Sequence, residues 1–321
     1  KRGKSVRTFL IGLAVVVAAL VGTYFYFSVP EIPRAALVAK YGTTPSKFVR
    51  LPDGALLHYR DRGPKNASAL LLLHGSNASL FTWEPWTQRL DSSFRVVAID
   101  LPGHGLTGAV PSNDYSQAGM VEFTKEAADK LGLRKFAIAG NSMGGGVAAH
   151  FAEEYPDRVT ALILVDAGGM PGKQGDHVPI GFRIGRIPVL NKLLLHLTPR
   201  AMFKEGLDDS LVHKAVITDA MVEQYWELNR MQGTPEATLA RFNEPFGSYV
   251  KDHIGQIKAP TLILWGAEDH LVPVDAAHAF NAAIPGSKLI IFPGNGHVLQ
   301  EDDPDETAAD VRAFLGNTVY P

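Results

Sequence analysis

Cysteine is absent from all 321 residues. A disulfide framework, a thiol nucleophile and a cysteine-ligated metal centre are therefore excluded. Charge of one sign is also lacking. Lys and Arg number 31 against 33 Asp and Glu, a net charge of -2, so the electrostatic footprint of a nucleic-acid binder is missing. No internal repeat and no low-complexity tract is visible. What remains is an ordinary globular composition, 46% apolar and 20% charged, together with one long stretch free of charge.

That stretch runs from Thr8 to Val29 and follows seven residues that carry four positive charges. At about 1.5 Å per residue a helix of this length spans roughly 33 Å, enough for a bilayer core. Tyr24 and Tyr26 lie near its end, where interfacial aromatics belong. Residues 1–29 are read as a cytoplasmic stub and transmembrane anchor. The positive flank stays cytoplasmic, which places the rest of the chain on the periplasmic or extracytoplasmic side. The rival readings are a cleaved signal peptide, with small residues at Ala18 and Ala19, and a buried core helix. Residues 30–46, with three prolines and little periodicity, read as a linker.

The remainder alternates short apolar runs with helical patterns, the mark of a mostly parallel sheet with crossover helices. Candidate strands are Lys47–Leu51, Leu56–Tyr59, Ala69–Leu73, Phe94–Ile99, Phe136–Ala139, Ala161–Val165, Thr261–Trp265 and Lys288–Phe292. The first two flank the turn signal Pro52-Asp53-Gly54 and form a hairpin. Helical patterns cover 117–131, 143–155, 274–283 and 305–315. Between Val165 and Thr261 no buried strand is evident. Helical patterns there, at 190–197, 219–231 and 236–242, point to a helical cap over the strand ends; an independent second domain is the alternative. The division expected is 47–170 and 258–321 for the two parts of the core and 171–257 for the cap.

The strongest local signal is Gly140-Asn141-Ser142-Met143-Gly144, placed between a strand and a helical pattern. A strand turning straight into a helix strains its middle residue. Glycines two before and two after it let the elements approach closely. Ser142 is then displayed at a helix N-terminus as a candidate nucleophile. The adjoining Gly144-Gly145-Gly146 lacks the spacing of a phosphate loop. A serine needs a base, and His297 follows the last strand in a Gly-rich loop. The acid follows the strand before it: Asp269, with Glu268 beside it and Asp166, after Ala161–Val165, as rivals. The order Ser142, Asp269, His297 is the one described for such elbows. The oxyanion donors are the N–H of Met143 and an N–H of the loop after Ala69–Leu73, Ser76 first and Asn77 next. His104 is assigned a structural role, satisfying a loop carbonyl.

HGSNAS, DLPGHGLTG, GNSMGG, WGAEDHLVP and GNGHVLQEDDP, in this order from Phe48 to Leu315, resemble the α/β-hydrolase superfamily. The resemblance implies an α/β fold with an eight-stranded mostly parallel sheet, a helical cap after the sixth strand, the triad roles above, and neither cofactor nor metal. GNSMGGG is similar to the elbow of hydrolases that cleave carbon–carbon bonds in ring-fission products. Those usually carry Trp after the histidine, where this chain has Val298, and an oxyanion loop richer in Gly and Pro. Ser142 separates the chain from haloalkane dehalogenases and epoxide hydrolases, which carry Asp there. The expected activity is carboxylesterase-like hydrolysis of a small-molecule ester through an acyl-enzyme. Carbon–carbon hydrolysis, acyl transfer and non-catalytic ligand binding are the alternatives. Apolar residues at Phe182, Ile184, Leu193–Leu195, Met202 and Trp226 either line an apolar acyl site or form the cap's own core.

Overall fold

The computed structural model describes residues 2–170, 187, 191, 197–244 and 254–319. In chain order the described elements begin with helices α1 (Arg2–Phe27) and α2 (Arg34–Tyr41). Strands β1 (Lys47–Arg50), β2 (Leu56–Arg62) and β3 (Ala69–Leu73) lead to α3 (Glu84–Leu90), β4 (Arg95–Ile99), α4 (Gln117–Lys130) and β5 (Phe136–Asn141). Then come α5 (Met143–Glu154), β6 (Val159–Val165), α6 (Arg200–Ser210), α7 (Asp219–Leu228) and α8 (Thr234–Asn243). The chain closes with β7 (Thr261–Gly266), α9 (Asp275–Ala283), β8 (Lys288–Phe292), α10 (Leu299–Asp302) and α11 (Pro304–Val319).

The eight strands form one sheet in the order β1-β2-β4-β3-β5-β6-β7-β8. β1 pairs with β2, and β2 with β4, antiparallel; the other pairings are parallel. Helices cover both faces, so the central strands must be apolar on both. Leu70 to Leu73 and Leu162 to Val165 are accordingly buried without alternation. One core lies on each face. The first joins Leu71, Ile138, Val147, Phe151 and Trp265, and the second joins Leu72, Trp83, Trp86, Ile163 and Leu264.

The order reverses between β3 and β5. β4 lies on one side of β3 and β5 on the other, which makes the carboxyl ends of these strands the place where open α/β sheets bind ligands. Register sets Leu73 opposite Gly140 and Asn141 opposite Val165. The loops leaving β3, β5 and β6 therefore emerge side by side.

In α1, the stretch Phe9–Phe27 has a mean hydropathy of 2.2 and no buried residue. By length and composition it is able to cross a membrane. Residues 30–46 are more ordered than a linker. They carry α2, whose Leu37 is buried in a small core with Leu106, Leu228 and Met231. Ile32 bridges to Met231, Arg230 donates twice to the Pro30 carbonyl, and Lys40 and Tyr41 both donate to Glu227. The prolines hid an eight-residue helix that is too short to show periodicity and is stabilised by tertiary contacts.

Between β6 and β7 the described chain is helical, as its patterns predict at 219–231 and 236–242, with α6 added. The Leu-rich run 190–197 falls largely outside the described residues, as do Phe182, Ile184 and Leu193–Leu195. Met202 is exposed, and Trp226 donates from its indole to Thr198 O at 2.7 Å.

Candidate active site

Ser142 has φ 53° and ψ -119°, a left-handed backbone that a residue with a Cβ adopts only under constraint. The constraint is visible. Its N–H donates to Val165 O at 3.0 Å, and its carbonyl accepts from Gly145, Gly146 and Gly168 at 3.0, 3.2 and 2.8 Å. Helix α5 approaches β3 so closely that a Cβ on Gly144 would collide with the Leu73 and His74 carbonyl oxygens. A Cβ on Gly75 would lie 3.1 Å from that of Ser142, which shows how near the loop after β3 comes to the elbow.

His297 is buried in the loop after β8. Its Nδ1–H donates to Asp269 Oδ2 at 2.7 Å. Since a carboxylate offers only acceptors, Nδ1 carries the proton and Nε2 keeps its lone pair when the ring is neutral. Asp269 is itself held by the N–H groups of Leu271 and Val272 at 2.8 and 3.0 Å, both on Oδ1. Among the described residues the Ser142 hydroxyl makes no hydrogen bond to His297. In ligand-free sites such bonds often tighten only with substrate bound.

Two side chains not singled out from the sequence tie these parts together. Asn141, one residue before Ser142, donates from Nδ2 to the His297 carbonyl at 2.9 Å and to Val165 O at 3.2 Å. Asp302 is buried and accepts from the N–H of Gly296 at 2.7 Å, one residue before His297. It also accepts from the N–H groups of Val212 and His213, at 3.0 and 2.8 Å, in the segment between β6 and β7. His297 N–H donates to Ser210 O at 2.8 Å. The histidine loop is thus fastened to the elbow on one side and to α6 on the other. Asn141 had a sequence signal, its place inside the elbow. Asp302 had none, since Val212 and His213, which it joins to the histidine loop, lie about ninety positions away.

The rival acids are placed elsewhere. Glu268 is exposed and accepts from Asn295 N–H at 3.0 Å. Asp166 is buried in a left-handed conformation, φ 45°, and accepts from Gly266 N–H at 2.8 Å. Burial, and then the charge of Asp269, push its carboxyl well above the ordinary range. Two carboxylates sharing one dry corner cannot both ionise cheaply, and the imidazole's hydrogen bond goes to Asp269.

Among the described residues the backbone N–H groups of Ser76 and Met143 donate to no protein acceptor. Met143 is the first residue of α5, where an unpaired N–H and the helix dipole coincide. Asn77 follows Ser76 with φ 58°. His104 donates from Nδ1 to Pro102 O at 2.8 Å, the structural role expected of it.

A half-buried acidic pair lies close behind the histidine loop. Tyr225 OH of α7 donates to Glu301 Oε2 of α10 at 3.0 Å. Burial pushes Glu301 up to about 8, although bonds from Tyr225 and Thr82 pull it back. A carboxyl raised in this way costs the folded state nothing below its unfolded value. The cost grows from about pH 4.5 to about pH 8 and is constant above. Glu301→Gln keeps the acceptor and removes the charge. It is expected to stabilise the protein by on the order of 2–4 kcal/mol above pH 8 and by almost nothing at pH 4.5. Urea unfolding at both pH values checks this.

The sequence profile of the alpha/beta hydrolase fold matches residues 68–304, and the chain belongs to that family. A 2-hydroxy-6-oxononadienedioate/2-hydroxy-6-oxononatrienedioate hydrolase of Comamonas testosteroni is 31% identical over 288 residues, covering 86% of this chain and 98% of that protein. An uncharacterized protein of Mycobacterium tuberculosis is 33% identical over 264 residues, 78% of this chain and 76% of its own. Among solved structures, a membrane phospholipase A described as a bacterial virulence factor superposes with a TM-score of 0.73 at 25% identity, covering 98% of this chain and 100% of its own. The chain is therefore a hydrolase by family, similar to proteins named as a dienedioate hydrolase and as a phospholipase A.

Proposed function

We propose that this protein is a membrane-anchored serine hydrolase that cleaves carboxylic esters through an acyl-enzyme. The observation that carries the reading is the Asp269–His297 pair, held at 2.7 Å in a loop hydrogen-bonded to the residue preceding a strained Ser142. Ser142 Oγ attacks the ester carbonyl carbon while His297 Nε2 takes its proton. The N–H groups of Ser76 and Met143 hold the oxyanion, and Asp269 stabilises the imidazolium. The C–O bond then breaks and the proton passes from His297 to the departing alcohol. Water, deprotonated by His297, attacks the acyl-enzyme, and its collapse releases the acid and restores Ser142.

In this reading residues 171–257 form the cap over the strand ends and α1 spans the bilayer, with its basic N-terminal flank cytoplasmic and the catalytic body outside the cytoplasm. The apolar α1 and a likeness to a membrane phospholipase A that extends over α1 both support substrates with an apolar acyl chain taken at the membrane surface. Detergent-solubilised full-length protein, labelled with a fluorophosphonate and assayed on p-nitrophenyl esters, a diacyl glycerophospholipid and one ring-fission dienoate, tests the reading. Labelling with ester turnover supports it. Turnover of the dienoate alone would move the assignment to carbon–carbon hydrolysis, which the 31% identity to the Comamonas enzyme keeps as the second reading.

A further inference from the structure

The proposed oxyanion donor Ser76 stands on a loop that is held from two sides. Asn77 is left-handed, with φ 58°, and Ser76 and Asn77 are both only half-buried. What fixes the Gly75–Ser76 peptide is partly local. Leu101 N–H donates to His74 Nε2 at 3.0 Å, so His74 carries its proton on Nδ1 and donates it to Gly75 O at 2.7 Å. In a trans peptide the carbonyl and the next N–H point to opposite sides, so the Ser76 N–H is aimed away from His74.

The rest of the hold comes from the segment between β6 and β7. Arg241 of α8 is 8% exposed. Its guanidinium forks across the loop, with Nη1 on Ser76 Oγ and Nη2 on Asn77 Oδ1 at 3.3 Å. Ser76 Oγ in turn reaches the Met143 sulfur at 3.9 Å, which links the two residues expected to carry the oxyanion N–H groups. Asn229, at the end of α7, donates from Nδ2 to Asn77 O at 2.7 Å. The left-handed residue is therefore gripped from the other segment at its side chain and at its carbonyl.

We propose that Arg241 and Asn229 are positioning residues that latch the Ser76–Asn77 loop into the conformation presenting the Ser76 N–H, so that the oxyanion hole assembles only when the α7–α8 segment is seated on the sheet. The inference rests on the serine-hydrolase reading above and assigns that segment a part in the chemistry besides enclosing substrate. It also places a fixed positive charge next to the site of the developing oxyanion, where a preorganised charge contributes most. The same charge adds to burial in depressing the neighbouring imidazoles of His74 and His104.

The test uses full-length protein and neutral probes, so that recognition of a substrate anion by Arg241 is separated from loop positioning. Arg241→Gln, Arg241→Lys, Asn229→Ala and the Arg241→Gln/Asn229→Ala double variant are compared on p-nitrophenyl butyrate, on a neutral fluorophosphonate and on a neutral alkyl boronic acid, with melting temperatures measured in parallel. Arg241→Gln is expected to lower kcat and the phosphonylation rate each by about 30-fold, less than the roughly 10²–10³-fold lost when an oxyanion donor is removed outright, with KM changed less than about twofold. Boronic acid affinity falls by a similar factor. Arg241→Lys restores part of the rate, since it keeps the charge but not the fork. Asn229→Ala loses about fivefold, and the double variant loses less than the product because both residues act through Asn77. A raised KM with unchanged kcat, an unchanged phosphonylation rate, or a defect confined to anionic substrates overturns the latch. If Arg241→Gln fails to fold, Asn229→Ala decides the matter. A wild type that is phosphonylated but turns over no ester removes the ester reading and leaves the phosphonylation comparison able to judge the latch.

Discussion

Ser142→Ala is expected to lower ester turnover by at least about 10⁵-fold without unfolding the protein. Loss of a triad nucleophile removes the covalent route altogether and leaves only what oxyanion and binding contacts achieve. The fold survives because the methyl of alanine occupies the space of the Ser142 Cβ, and the hydroxyl makes no structural hydrogen bond among the described residues. The backbone strain remains, since φ 53° is unfavourable to any residue with a Cβ. Ser142→Gly is equally inactive but relieves that strain, and is expected to be more stable than Ser142→Ala by about 1 kcal/mol. Phosphonylation by a fluorophosphonate, ester kinetics and urea unfolding of the three proteins check each part. Undiminished turnover in Ser142→Ala would remove Ser142 as nucleophile.

Asp269→Asn is expected to lower kcat by about 10³–10⁴-fold, with KM little changed. The carboxylate accepts the Nδ1 proton of His297 and the N–H groups of Leu271 and Val272. An asparagine retains an acceptor for the two backbone donors, so the turn is preserved. Its amide, however, can donate to Nδ1. The imidazole proton then shifts to Nε2, where a lone pair is needed to receive the Ser142 proton. Asp166→Asn makes the contrast. Asp166 is already disfavoured as an anion by burial and by Asp269, and its Gly266 bond survives in the amide. Near wild-type kcat is expected there. Steady-state kinetics on one neutral ester separates the two variants. A larger loss in Asp166→Asn than in Asp269→Asn would reverse the assignment of the acid.

Much of the candidate site was legible because each part announces itself locally. The elbow needs small residues at fixed offsets from Ser142, and those offsets are written in five consecutive positions. Asp269 and His297 each follow an apolar run of strand length, the buried TLILW and the half-buried edge strand KLIIF. Helix α2 was not legible. Its eight residues, in a segment with three prolines, carry too little pattern, and Leu37 is buried by residues of the 228–231 region nearly two hundred positions away. Asp302 and Arg241 were hidden for the same reason. Nothing beside Asp302 says that Val212 and His213 will meet it, and nothing beside Arg241 says that Ser76 will.

By itself, then, the order of residues determined the strand succession, the elbow and the candidates for nucleophile, acid and base, because those depend on periodicity and on spacing along the chain. Tertiary structure decided that Asp269 and not its rival Asp166 faces the imidazole, since both follow buried strands and the hydrogen bond of His297 goes to Asp269. It also decided that residues on α7 and α8 grip the loop carrying Ser76, because a hydrogen bond between residues some 150 positions apart depends on where the folded helices sit and not on anything written beside either partner.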